Sequence, residues 1–95
     1  MPHYIYLIHP FRDEFFNQPT PAEEAAMQAH FAYLQQATQA GTVLLAGPCL
    51  DDTFGLVVFA AADEAAAQAF MYNDPSVKAN VMMAELHPFR LSLKA

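Results

Sequence analysis

A single cysteine, Cys49, is all the thiol chemistry that this chain carries. One cysteine cannot close an intrachain disulfide, and a reducing cytosol suits such a sequence. Cys49 itself is expected to be a small buried hydrophobe rather than a reactive thiol. Positive charge is equally scarce. Four Lys plus Arg stand against ten Asp plus Glu, a net charge of −6. With no basic cluster, nucleic acid and anionic membrane are poor partners. The opening "MPHYIYLIHP" has no basic leader and only a short apolar run. Neither a signal peptide nor a membrane span is expected, and the cytoplasm is the expected location.

Motifs of several enzyme classes are missing as well. There is no CxxC, HxxxH or HExxH, no glycine-rich phosphate loop and no GxSxG elbow. Four histidines invite a metal, but His3 and His9 on one strand face would stand roughly 20 Å apart. No metal and no cofactor is expected.

What the chain has in quantity is apolar surface. Hydrophobic residues make up 55% of 95 positions, with eight Phe, four Tyr and five Met. That length makes one domain with a marginal core of its own. So much apolar surface predicts a second buried face, most simply a subunit interface.

Residues 3–8, "HYIYLI", are β-branched and aromatic and predict a strand before Pro10. "FRDEFFNQPT" follows as a loop, whose Phe15 and Phe16 should pack on something. Thr20, Pro21 and Glu23 compose a capping box that opens a helix running to Ala40, and Gly41 stops it. "TVLLAGP" and "FGLVVFA" are strands two and three, joined by a turn around Asp51-Asp52. Asp63 caps a helix from Glu64 to about Asn73, which should end before Pro75. "SVKA" can add a short turn. "VMMAELHPFRLSL" is the last strand.

The order β-α-β-β-α-β predicts an α+β, ferredoxin-like domain: a four-stranded antiparallel sheet with both helices on one face. In that topology the last strand is an edge, where Pro88 is tolerated. The repeated "HPFR", His9–Arg12 and His87–Arg90, then falls in two different settings and is an accident of composition. On the first strand Tyr4, Tyr6 and Ile8 oppose Ile5, Leu7 and His9, and the third strand is likewise apolar on both faces. A sheet apolar on both sides predicts that a second copy covers the open face, giving a dimeric α/β barrel.

His30 lies in the apolar stripe of the first helix, with Met27, Leu34 and Ala37. An imidazole there needs a hydrogen-bond partner, which is a backbone carbonyl in a structural role. Asp74 at "NDP" is either a turn carboxylate or a group reaching across to His30. The second arrangement would fix the ring's tautomer and make a general acid or base. Tyr6 can line a ligand cavity or pack in the core. His9 and Arg12 are the remaining candidates for substrate binding, with solvated surface the ordinary role for arginine.

"AHFAYLQQATQAGTVLLAGP", Gly55, "DEAAAQAFMYNDP" and "LHPF", taken in order, resemble the YciI-like family from about Pro21 to Phe89. The resemblance implies a dimeric α/β barrel and a cleft with a catalytic histidine–aspartate pair, at His30 and Asp74. Many members carry Arg-Pro-Ala where this chain has Met27-Gln28-Ala29, an aromatic where it has Ser76, and a glycine where it has Asn80. Three readings follow. One is an enzyme of lyase, isomerase or dehydrochlorinase type acting on a small, cyclic or aromatic molecule. The others are a non-catalytic ligand-binding dimer and a purely structural one.

Overall fold

The computed structural model describes residues 1–95 as β1 (His3–Pro10), α1 (Pro21–Gln39), β2 (Val43–Pro48), β3 (Gly55–Ala60), α2 (Glu64–Tyr72), α3 (Pro75–Lys78) and β4 (Met82–Phe89). The strands form one antiparallel sheet in the order β2-β3-β1-β4, with the helices on one side. This is the expected ferredoxin-like α+β arrangement.

Local chemistry sets the helix ends. The Thr20 hydroxyl accepts from the Glu23 N–H, and the Glu23 carboxylate accepts in return from the Thr20 N–H. Gly41, at φ +85°, occupies the left-handed conformation that follows the helix. Asp63 caps α2 by accepting from the Ala66 N–H. Several element boundaries shift by a residue or more from expectation. β1 continues through Pro10, β3 begins at Gly55, and β4 stops at Phe89. Pro10 and Pro88 both lie on the ladder between β1 and the edge strand β4.

The helix-facing side holds the core, where Tyr4, Tyr6, Val57 and Phe59 are almost wholly buried. Tyr6, Phe59 and Phe70 meet edge-to-face or tilted, with centroids 4.8 to 6.2 Å apart. A Cβ on Gly55 would approach Ile8 Cγ1 to 3.0 Å, so any larger residue there would need that side chain to give by a few tenths of an ångström. The opposite side is more mixed than expected. Strand pairing places Ile5, Leu7, Leu56 and Val58 at its centre, but Glu85 and His87 of β4 share it. The expectation of two wholly apolar faces holds for the central strands and fails at the edge.

Candidate active site

α1 sets the site's geometry. His30 lies seven residues, about two turns, beyond Glu23 and one turn before Leu34, so all three share the inward stripe. α1 packs against the short helix α3, and α3 supplies the carboxylate. Asp74 is the N-cap of α3: its Oδ1 accepts from the Ser76 N–H at 2.9 Å and from the Ser76 hydroxyl at 2.8 Å. Its Oδ2 accepts from the Tyr6 hydroxyl at 2.7 Å. His30 Nδ1 stands 2.8 Å from Oδ1 and 2.7 Å from Oδ2.

Asp74 is fully buried, yet every donor around it favours the charged form. Burial alone would raise its pKa. The bond from His30, that ring's charge, and the bonds from Tyr6 and Ser76 outweigh burial and hold it below the ordinary carboxylate value. Tyr6 shifts in the other direction. Burial, then the neighbouring Asp74 charge, push its hydroxyl far up, so it remains a donor. Tyr33, half-buried near the same carboxylate, rises to about 12 for the same two reasons.

An ionised Asp74 only accepts hydrogen bonds, so His30 Nδ1 must carry the hydrogen. The acceptor nitrogen of the neutral ring is then Nε2. It has no protein partner, and no side-chain polar atom in the structure is both buried and unpartnered, so Nε2 is accessible. His30 lines a cavity of about 680 Å³ between α1, the β2–β3 end of the sheet and the loop carrying Phe15 and Phe16. A ring held at Nδ1 by an anion and open at Nε2 can take a proton from a bound molecule and return it.

The other sequence candidates fall elsewhere. Tyr6 is in the core, where it holds Asp74 and does not line the cavity. His9 pairs with Met83 on the open side of the sheet. Arg12 donates to Glu23 at 3.0 and 2.9 Å, reaches the Gln18 carbonyl, and sits 3.5 Å from Glu14. The arginine therefore pins the loop onto α1, and that loop brings Phe15 and Phe16 to the cavity wall. Cys49 also differs from expectation, being half-buried in the cavity lining.

Sequence reasoning missed Ser76, a fully buried residue that gives Asp74 two of its donors. The signal was the Asp-Pro-Ser order, which places a hydroxyl two residues beyond a cap carboxylate. Asn80 adopts φ 58°, a left-handed conformation that asparagine tolerates better than most residues.

The fold and this site define an α+β protein with a histidine–carboxylate pair at an apolar cavity. The family model for the YCII-related domain matches residues 4–90, and the chain belongs to that family. No curated protein matches it. Among solved structures it is similar to 5-chloro-2-hydroxyhydroquinone dehydrochlorinase from Burkholderia phenoliruptrix AC1100, in complex with 2,5-dihydroxybenzoquinone. That likeness has a TM-score of 0.68 at 18% identity, over 92% of this chain and 93% of the other. At such identity it speaks for the fold.

Proposed function

We propose that this protein is a small-molecule enzyme in which His30 is the general acid/base and Asp74 orients it. The reaction class is proton transfer next to an activated carbon, as in lyases, isomerases and dehydrochlorinases. One observation carries the reading: Nδ1 is bonded to a buried carboxylate, Nε2 is accessible and has no protein partner, and the ring lines the cavity. The dehydrochlorinase of similar fold, with its bound quinone, lends support at the level of architecture. The test is solvent-deuterium incorporation into a panel of ring compounds bearing acidic hydrogens. His30→Ala should slow exchange by about a hundredfold to ten-thousandfold. Exchange that is indifferent to the substitution would leave a binding or structural dimer as the reading.

The same proposal includes a homodimer through the open side of the sheet, and a cytoplasmic location. Ile5, Leu7 and Leu56 remain only half-buried there, and this chain has no element to cover them. A second copy applied across a two-fold axis would bury that patch. Leu7→Glu should convert a dimer to monomer in sedimentation, whereas a wild-type monomer would end that part of the reading.

A further inference from the structure

The cavity wall carries no positive side chain. Arg12 is bound to Glu23, and neither Arg90, Lys78 nor Lys94 lines the cavity. The titratable groups that do are His30, Cys49 and Asp52, and the Asp74 anion lies directly behind His30. Four phenylalanines, Phe15, Phe16, Phe31 and Phe54, supply most of the aromatic surface. The neutral polar groups are few, and one of them, the Thr38 hydroxyl, is already donated to the Leu34 carbonyl at 2.7 Å.

An anionic ligand entering here would lose its water and find no side-chain cation. A neutral ring would stack on phenylalanine and lose little. The same scarcity constrains the anion that proton removal creates. Its one cationic neighbour is the imidazolium just formed, so a localised oxyanion would go unsupported. Taking His30 as the proton-transferring group, we propose that the cavity selects uncharged, ring-bearing molecules whose lost proton leaves a delocalised anion, phenols and enols above all, and rejects carboxylates and phosphates. His30 Nε2 takes the hydrogen as a proton, and the bonding pair stays on the ring. The proton then returns to the same or another atom of that molecule, so no oxidant or reductant is needed.

The experiment is calorimetric titration of the full chain near neutral pH with two matched pairs: para-cresol against para-hydroxybenzoate, and β-naphthol against the corresponding hydroxynaphthoate. NMR shifts of the His30 ring place the bound molecule in the cavity. The neutral member of each pair should bind at least tenfold tighter, and Gln35→Lys, which adds a cation to the wall, should shrink that preference. Equal or tighter binding of the carboxylates to wild type would overturn the proposal, as would no binding of either neutral probe at millimolar concentration. If carboxylates bind and His30 still drives deuterium exchange, the charge rule fails and the proton-transfer role stands. If neutral rings are preferred but no exchange depends on His30, the role fails and the charge rule stands.

Discussion

Helix α1 carries two polar networks two turns apart, and they are built to opposite ends. The first, Arg12–Glu23–Thr20, is local in sequence and closed. Both carboxylate oxygens of Glu23 accept from Arg12, and the cap completes the set. The second joins β1, α1 and α3 through Tyr6, His30, Asp74 and Ser76. It satisfies its buried anion completely but leaves one acceptor, His30 Nε2, without a protein partner. A closed network fixes the chain in place. One with a free valence at an apolar cavity is equipped for chemistry.

The contrast is broken most severely at Asp74. Asp74→Ala removes the acceptor that three side chains share and leaves their donors buried, so it should cost about 3–5 kcal/mol in denaturant unfolding. Tyr6→Phe takes away one donor and should cost about 1–3 kcal/mol. If Asp74→Ala costs no more than Tyr6→Phe, the carboxylate is not the hub. Thr20→Ala, at the closed network, should cost about 1 kcal/mol, the usual effect of losing an N-cap. It should leave the His30 ring-nitrogen resonances in place, whereas Tyr6→Phe should move them.

Acid sharpens the comparison further. Glu23 is held down to about 2 from an ordinary 4.5, first by the Arg12 hydrogen bond and then by the Thr20 N–H. A depressed carboxylate stabilises the fold in full above its unfolded value, and that stabilisation fades as pH falls from about 4.5 toward about 2. Asp74, also depressed, fades in the same direction. Denaturation midpoints of Glu23→Gln should therefore fall less steeply than wild type in that window. The smallest effect is that of salt. It should weaken the partly exposed Arg12–Glu23 pair and leave the buried network unchanged. Equal salt sensitivity of wild type and Glu23→Gln, which lacks the ion pair, would erase the distinction.

The sequence by itself determined the elements and their order. Caps, glycines, prolines and the two-residue alternation act over a few residues, so Thr20–Glu23, Gly41, Asp63 and the β1 pattern were legible without a fold. The family motif also put His30 and Asp74 forward together. Only the tertiary structure decided which neighbours those residues have. Tyr6 stands 68 positions from Asp74, and Ser76 stands 46 from His30. Sequence alone therefore leaves Tyr6 between a cavity wall and the core, and its hydroxyl serves the carboxylate. It leaves Arg12 between a ligand and solvent, whereas Glu23, eleven residues on, holds it. Local hydrogen bonds and periodicity are written in adjacent residues. Two of the buried anion's donors come from Ser76, two residues on, but Tyr6 and His30 come from where packing brings them, and no short stretch of sequence carries that part.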